Sequence, residues 1–370
     1  MQPNSKPLIV PVFLPHAGCP HRCVFCNQNA ITSAPSGLPS ESELESAIGQ
    51  FLSYTLKRHS TTQIAFFGGN FLGLDIAVVE AFLRLAQRFV QDGRVDSIRF
   101  STRPDTIGRK RLDVLAGYSV RTVELGVQSM VDDVLRQSRR GHTAAQTAAA
   151  VKLLRTEGYA VGLQMMVGLP GDSDDRALET AHRLVDLQPD FVRIYPTVVL
   201  KGSRLAEWYR AGRFRPLSLE SAVELVKAIY VIFYRHDIPV VRMGLQEAGD
   251  MAEEDTVLAG PFHPAFGHLV HAALFLEMAR RLLSHREVRA PTVTLKTHPR
   301  SISKMKGLKL CNIDALRRQF NLRSLTVEPD PTLPEDGLRL HDAETVVTYR
   351  HLEERRPLSG PVRKCGDAPR

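Results

Sequence analysis

The chain has 370 residues and a formal net charge of +8, with 43% hydrophobic and 24% charged residues. This composition is typical of globular proteins and excludes a disordered, collagen-like or disulfide-stapled chain. The length suggests one large domain and a smaller one. Residues 290–370 hold 15 Lys or Arg and 10 Asp or Glu, so they carry +5 of the net charge. Such an excess is compatible with a polyanionic partner but does not by itself indicate one.

The ends and the apolar runs of the chain indicate no targeting or membrane segment. The apolar stretch at residues 8–14 is too short for a secretory signal. The longest run without Asp, Glu, Lys or Arg, residues 256–276, contains two prolines and three histidines, which favours a buried loop and helix. The five cysteines are odd in number and clustered, unlike a disulfide framework. We therefore expect a cytoplasmic protein with no membrane partner.

The first half of the chain alternates between strand and helix patterns. Apolar runs bounded by turn residues predict strands at residues 8–14, 63–67, 97–101, 122–127, 161–167 and 191–195. Helical periodicity predicts helices at residues 40–57, 74–90, 131–137, 143–157 and 173–187. This alternation favours a parallel sheet with helical crossovers, and functional groups then collect at the carboxyl ends of the strands. Periodicity alone cannot distinguish an open doubly wound sheet from a full or partial barrel.

The pattern changes after Tyr195. Helices are predicted at residues 219–235 and 266–283, with one more possible strand at residues 238–243. A smaller unit follows, with a strand at residues 292–296, a helix at residues 313–320 and short strands near Leu325, Leu338 and Val346. We predict a core of residues 1–243, a helical connection of residues 244–289 packed on it, a small basic α+β domain of residues 290–358, and a flexible tail of residues 359–370.

Three cysteines within eight residues follow the first predicted strand, at Cys19, Cys23 and Cys26. Three thiolates suit a soft metal site, either zinc or an iron–sulfur cluster. A structural zinc site needs a fourth ligand, which His16 or His21 could supply because the chain has no second C-x-x-C pair. An iron–sulfur cube held by three cysteines would instead leave one iron open to a substrate or cofactor.

The C-x3-C-x2-C spacing after the first strand of an α/β chain resembles the signature of the radical S-adenosylmethionine (SAM) superfamily. The resemblance implies a partial (β/α)6 TIM-like barrel, here with a small C-terminal α+β extension. It also implies a [4Fe–4S] cluster whose open iron chelates SAM, with Cys19, Cys23 and Cys26 as its ligands. Reduction of that cluster by flavodoxin or ferredoxin would cleave SAM to a 5′-deoxyadenosyl radical.

The same resemblance predicts SAM contacts along the strand ends. A Gly-Gly-Glu-like turn meets the SAM amino group in that superfamily, a second side chain hydrogen-bonds the ribose, and a cation neutralises the carboxylate. The positions that match are Phe25, Gly68, Gly69, Asn70, Thr102, Gln128, Arg140 and Gln164. Asn70 and Ser101 stand where relatives have an acid. A capped turn or a solvated face is the alternative interpretation of Gln128, Arg140 and Gln164, and no catalytic residue is assigned.

A series of short segments is similar to the radical-SAM core of the Elongator catalytic-subunit family. They occur in the same order at residues 101–105, 124–129, 140–143, 168–171, 193–197 and 201–205, within roughly residues 7–243. That family has an acetyltransferase domain after the core, whereas only about 125 residues follow Met243 here and contain no Gly-rich acyl-CoA loop. The full Elongator reaction is therefore not expected. Oxygen-independent coproporphyrinogen oxidases have a fourth cysteine where this chain has Gln28.

The substrate prediction depends on the C-terminal unit. Residues 296–309 contain five basic residues and no acid, so they form a candidate RNA or tRNA contact or a solvated basic loop. RNA modification is the leading hypothesis, and a small molecule handled like a porphyrinogen is the alternative. A non-catalytic iron–sulfur or zinc sensor is the third possibility. Cys311 and Cys365 are each single and are interpreted as free thiols.

Overall fold

The computed structural model describes residues 7–28, 37–54, 61–245, 256–284 and 291–355. The strands are β1 (Leu8–Phe13), β2 (Thr62–Phe67), β3 (Ser97–Thr102), β4 (Val120–Gln128), β5 (Ala160–Val167), β6 (Phe191–Pro196), β7 (Val199–Leu200), β8 (Val240–Met243), β9 (Val257–Ala259), β10 (Thr292–Thr297), β11 (Ser324–Pro329) and β12 (Leu338–Leu340). The helices are α1 (Glu41–Ser53), α2 (Ile76–Gln91), α3 (Arg109–Asp113), α4 (Asp132–Gln137), α5 (Ala144–Thr156), α6 (Asp174–Asp186), α7 (Arg204–Arg210), α8 (Leu219–Arg235), α9 (Phe266–Ser284), α10 (Ile302–Lys306) and α11 (Cys311–Gln319).

The main sheet has seven parallel strands in the order β1-β2-β3-β4-β5-β6-β8. Each strand lies beside its predecessor, with no reversal of order, so the sheet curls into a half-barrel instead of a doubly wound sheet. The α/β partial-barrel prediction is confirmed, and the possible strand at residues 238–243 is present as the seventh strand of the sheet. The seventh strand, β8, pairs in parallel with β6, and Val240 lies opposite Val192. Its four half-buried or exposed residues give only a weak strand signal in the sequence.

The two faces of this sheet differ in character because side chains alternate along each strand. One face is apolar and is covered by the helices, with residues such as Ile64, Phe100 and Ile194 fully buried. The other, concave face includes polar side chains, among them Gln63 on β2 and Arg193 on β6. The carboxyl ends of the strands therefore frame a polar region supported by a rigid core.

Local signals explain most of the element boundaries. Helix α1 begins at the predicted capping box, in which Ser40 accepts from the Glu43 backbone N–H and Glu43 accepts from that of Ser40. It ends at Ser53, and the last residues of the predicted helix, 55–57, lie outside the described part of the chain. The pair β7 and β9 forms a small antiparallel sheet that the sequence did not indicate.

The C-terminal unit is an α+β arrangement, as predicted. Strand β10 pairs in parallel with β11 and antiparallel with β12, and Val347 adds an isolated bridge to Leu338. Its apolar residues join the main core, since Tyr349 packs edge-on against Tyr230 and Tyr234 of α8. The predicted tail at residues 359–370 lies outside the described residues. No described helix is both long and apolar enough to cross a bilayer.

Candidate functional site

The three cysteines lie in a loop that follows β1 at the carboxyl edge of the main sheet. Their thiols are close enough to influence one another: burial, then the charges of Cys23 and Cys19, raise the pKa of Cys26 to about 12. Burial also raises the pKa of Cys19, against the opposing charge of Arg140. Among the described residues, no three His, Cys, Asp or Glu side chains converge as ligands of a single metal ion.

The middle of the cysteine loop is held by the end of α4 and by the start of α7. The backbone N–H of Val24 donates to the Ser138 carbonyl (3.1 Å), and the Val24 carbonyl accepts from Leu205 N–H (2.7 Å). Val24 and Leu205 are both fully buried in a small apolar cluster, on which the half-buried Phe25 packs. The sequence singled out residues 201–205 as a family-like segment, but it did not reveal that they support the cysteine loop.

The end of the cysteine loop is tied to the Gly68–Gly69 turn by Gln28. The side-chain oxygen of Gln28 accepts from the backbone N–H of Gly69 (2.8 Å) and of His16 (2.5 Å). Gly69 has a φ of +52°, and a Cβ there would lie 2.3 Å from the Ala17 carbonyl oxygen. Only glycine therefore allows the turn to approach the loop so closely.

The two histidines near the cysteines, His16 and His21, make contacts with other parts of the chain. The Nε2 of His16 accepts a hydrogen bond from the backbone N–H of Gln28 (2.9 Å). His21 is exposed and lies against Gly141, where a Cβ would contact its ring at 2.3 Å. The Nε2 of His16 is therefore engaged within the loop.

The side chains of Asn70 and Thr102 connect the cysteine loop to the end of β3. Asn70 Nδ2 donates to the Gly18 carbonyl (2.9 Å), while its Oδ1 accepts from Thr102 Oγ1 (2.6 Å) and from the backbone N–H of Arg103 (3.0 Å). Asn70 and Thr102 are 1% and 2% exposed. An asparagine meets both demands, whereas a carboxylate has no N–H for the Gly18 carbonyl. This explains the amide where relatives have an acid.

Arg140 links the thiols to the neighbouring strand. Its Nη1 donates to Cys23 Sγ (3.4 Å) and its Nη2 donates to the Gly126 carbonyl of β4 (2.5 Å). Arg103, which is 1% exposed, donates to the Arg140 carbonyl and forms two hydrogen bonds of 2.9 Å with Asp105. Nε of Arg140 and Nη1 of Arg103 are buried without an acceptor in the described structure. These cations provide positive charge beside three potential thiolates.

Gln128 and Gln164 extend this line of contacts along the strand ends. Strand β4 has a register shift between Gly126 and Gln128, and Gln128 has a φ of +68°. The Nε2 of Gln164 on β5 approaches the side-chain oxygen of Gln128 at 3.4 Å. The predicted SAM contacts Gln128, Arg140 and Gln164 are therefore brought together. The side chains of Asn70 and Thr102 instead form hydrogen bonds within the protein.

A charged cluster on the concave face was missed by the sequence analysis. Glu124 of β4 accepts a hydrogen bond from Arg99 of β3, and its Oε2 lies 2.7 Å from Nε of Arg193 on β6. We call Arg99, Glu124 and Arg193 the concave-face cluster. A charged residue inside a strand with buried apolar neighbours, such as Arg99 between Ile98 and Phe100, is the sequence signal that points to it.

A family model described as the radical SAM superfamily matches residues 13–184, and one described as the radical SAM C-terminal domain matches residues 189–275. The chain belongs to the radical SAM superfamily. The first match contains the three cysteines and every predicted SAM contact, which lie in one region at the strand ends. For this radical SAM protein, membership in the family implies a [4Fe–4S] cluster and SAM.

Several proteins are similar to this radical SAM chain. A tRNA uridine(34) acetyltransferase of Methanocaldococcus jannaschii is 31% identical over 157 residues, covering 42% of this chain and 29% of that protein. One of Dehalococcoides mccartyi is 27% identical over 263 residues, covering 60% and 57%. Elp3 of Methanocaldococcus infernus lacking residues 1–46 has the same fold, with a TM-score of 0.57, 22% identity and coverage of 74% and 64%. The chain thus spans about 29% to 57% of these two curated relatives.

Proposed function

We propose that this chain holds a [4Fe–4S] cluster through Cys19, Cys23 and Cys26 and uses it to cleave SAM reductively. The observation that carries the proposal is the grouping of three thiols with Arg140 at the carboxyl edge of the half-barrel, beside the Gly68–Gly69 turn. A one-electron donor, flavodoxin or ferredoxin, is required to reduce the cluster.

The chemistry of the donor set supports this assignment. Burial raises the pKa of Cys19 and Cys26, so their thiolates are costly unless cations lie beside them. Bound iron favours deprotonated thiols strongly, and the Arg140 guanidinium adds a hydrogen bond to Cys23 Sγ. Hydrogen bonds to ligating sulfurs are a general means of tuning the potential of iron–sulfur clusters.

The residues along the strand ends would hold SAM. The Gly68–Gly69 turn offers backbone groups without side-chain obstruction, Arg140 offers a cation for the carboxylate, and Gln128 and Gln164 offer amide groups for the ribose. Phe25 provides an aromatic surface next to the third cysteine. The chemistry expected of the bound pair is reductive cleavage of SAM to a 5′-deoxyadenosyl radical, which abstracts a hydrogen atom from the substrate.

We propose RNA, and tRNA in particular, as the substrate. The relatives of Methanocaldococcus jannaschii and Dehalococcoides mccartyi described above both bear the name tRNA uridine(34) acetyltransferase. In the C-terminal unit, residues 296–309 run from the end of β10 through α10 and supply Lys296, Lys306 and Lys309. Arg300 in the same segment is paired with Glu335 at 2.8 Å. Lysines near a polyanion give affinity that decreases with salt.

The first experiment tests SAM cleavage. The protein is reconstituted anaerobically with iron and sulfide, and 5′-deoxyadenosine is measured after addition of dithionite and SAM. We expect four irons per chain and 5′-deoxyadenosine in the wild type, and loss of both in Cys23→Ala with an unchanged circular dichroism spectrum. Full iron content in Cys23→Ala would contradict the ligand assignment, and four irons without 5′-deoxyadenosine would favour a sensor.

The second experiment tests the substrate class. Binding of unmodified tRNA is measured at several salt concentrations for the wild type and for the double variant Lys306→Gln/Lys309→Gln. We expect affinity that falls with salt and a shallower salt dependence in the variant, since two phosphate contacts are lost. The matched control is Lys110→Gln/Arg109→Gln on the outer helix α3, which removes the same charge elsewhere. Equal losses in both variants would exclude residues 296–309 as the contact.

A further inference from the structure

The concave-face cluster, formed by Arg99, Glu124 and Arg193, carries an unbalanced positive charge. Two guanidinium groups share one carboxylate, and Glu124 is only 4% exposed. The other hydrogen-bond partners of the two arginines among the described residues are neutral. Arg99 Nη1 donates to Gln63 Oε1 (3.1 Å), and Arg193 Nη1 donates to the Tyr195 hydroxyl (3.3 Å). A cation buried without a full counter-charge is unfavourable, so this arrangement is suited to acquiring an anion.

The cluster also has donors to spare. Arg99 is 7% exposed, and its Nε is buried with no acceptor among the described residues. Five N–H groups on each guanidinium exceed what one carboxylate, one amide oxygen and one phenol oxygen can accept. Buried polar groups in native structures are nearly always satisfied, so the unpartnered Nε of Arg99 shows that the cluster has fewer acceptors than its donors require.

The position of Arg193 makes it the member that a ligand can reach. Its side chain is 16% exposed, compared with 5% for Glu124 and 9% for Arg99. In the sheet register Arg193 is paired with Gln164 of β5 on one side and with Arg242 of β8 on the other. It therefore lies one strand from a predicted SAM contact, and its guanidinium stands 5.3 Å from the centre of the Phe67 ring.

We propose that the concave-face cluster is an oxyanion-binding site for the substrate, with Arg193 as the direct contact. The ligand group is a phosphate or a carboxylate, both of which match the planar fork of arginine. Arg99 and Glu124 hold that guanidinium in place and keep the site one positive charge in excess. The inference rests on the proposed function only in assigning the anion to the substrate that reacts beside SAM.

The test is anion binding to the reconstituted protein without SAM, so it does not depend on turnover. Unfolding temperature is followed against the concentration of inorganic phosphate or acetate at constant ionic strength, with chloride as the reference. An anion that binds only the folded chain stabilises it by mass action, and this yields an apparent affinity. A shift with phosphate alone identifies a phosphate group, and a shift with acetate identifies a carboxylate.

The variants locate the binding. We expect Arg193→Gln to weaken the apparent affinity by about tenfold or more, since a hydrogen-bonded charge is lost. Glu124→Gln removes the carboxylate that competes with the anion for the guanidinium groups. The unfolding temperature of this variant should therefore rise more steeply with anion concentration than that of the wild type. Arg193→Lys keeps the charge but loses the planar guanidinium. Its apparent anion affinity should lie between those of the wild type and Arg193→Gln, and it replaces Glu124→Gln as the second variant if that protein does not fold.

The control is Arg88→Gln, which removes one exposed arginine from the outer face of α2. It should respond to anions as the wild type does. Equal anion responses in the wild type and Arg193→Gln, or no response in the wild type, would overturn the proposal. A normal anion response without SAM cleavage would leave this site intact and would contradict only the proposed function.

Discussion

The side-chain oxygen of Gln28 accepts a hydrogen bond from the backbone N–H of Gly69 across 2.8 Å, which joins the end of the cysteine loop to the turn after β2. The same oxygen accepts from the backbone N–H of His16 at the start of the loop. One amide thus closes the loop on itself and fixes it against the turn. The position of the cysteine loop relative to the turn after β2 therefore depends on this residue.

Gln28→Leu should loosen the cysteine loop while leaving the half-barrel folded. The variant leaves the N–H groups of Gly69 and His16 without their acceptor, at a cost of about 1–3 kcal/mol. We expect fewer irons per chain after reconstitution and weaker SAM binding, measured by iron analysis and equilibrium dialysis. Gln28→Glu keeps an acceptor and should restore most of the iron content. Full iron retention in Gln28→Leu would show that the bridge is dispensable.

Leu205→Ala should affect the cysteine loop from the opposite side. Leu205 is fully buried against Val24, and its backbone N–H donates to the Val24 carbonyl. Truncation of a buried leucine costs about 2–5 kcal/mol through the cavity that it leaves. We expect faster loss of iron to a chelator than in the wild type, with the main thermal transition retained. Val241→Ala, at a side chain 54% exposed on β8, is the control and should lose iron at the wild-type rate.

Parts of this site could be predicted from sequence because their signals are local. The spacing of Cys19, Cys23 and Cys26 and the Gly68–Gly69 pair depend on neighbouring residues alone. The bridge from Gln28 to Gly69 spans 41 positions, and no periodicity or motif encodes such a partner. Strand β8 was only a possible element, because four partly exposed residues carry little apolar pattern. The contacts within the concave-face cluster have no local signal, because Arg99, Glu124 and Arg193 come from three different strands.

The stacked phenylalanines behind the site provide a test of the core. The Phe100 ring stacks on Phe71 at 4.8 Å, and Phe71 stacks on Phe66 at the same distance. Phe100 is fully buried, so Phe100→Ala should lower the free energy of unfolding by about 3–5 kcal/mol. Urea denaturation measures the change. A loss within about 0.5 kcal/mol, the usual effect of a surface substitution, would mean that this stack is not part of the core.

Asp172 should make the stability of the chain depend on pH. Burial raises the pKa of its carboxyl to about 6, although it accepts hydrogen bonds from the backbone N–H groups of Gly168 and Ser173. The folded state then binds the proton more tightly than the unfolded state, whose carboxyl has a pKa near 3.9. The stabilisation is complete below about pH 4 and is lost as the pH rises through about 6.

Asp172→Asn removes that titration and keeps a side-chain acceptor. Between pH 4 and pH 7 the wild type should therefore lose about 2–3 kcal/mol that the variant does not lose. Urea denaturation at the two pH values measures the difference. The control variant is Asp190→Asn. Asp190 follows α6, and its carboxylate accepts a hydrogen bond from the Val161 backbone N–H at 2.7 Å. This variant should keep the pH dependence of the wild type. The same pH slope in the wild type and Asp172→Asn would assign the dependence to other groups.

Arg140 should set the reduction potential of the cluster proposed for the three cysteines. Its Nη1 donates to Cys23 Sγ at 3.4 Å, and its positive charge stabilises the reduced, more negative state. Arg140→Gln should therefore make the potential more negative, by about 60 mV for a charge-assisted hydrogen bond of about 1.4 kcal/mol. Redox titration followed by electron paramagnetic resonance, without SAM, measures the shift. Arg140→Lys keeps the charge and should shift the potential less. Equal potentials in the wild type and Arg140→Gln would place this guanidinium outside the electrostatic field of the cluster and confine its role to holding Gly126 and β4.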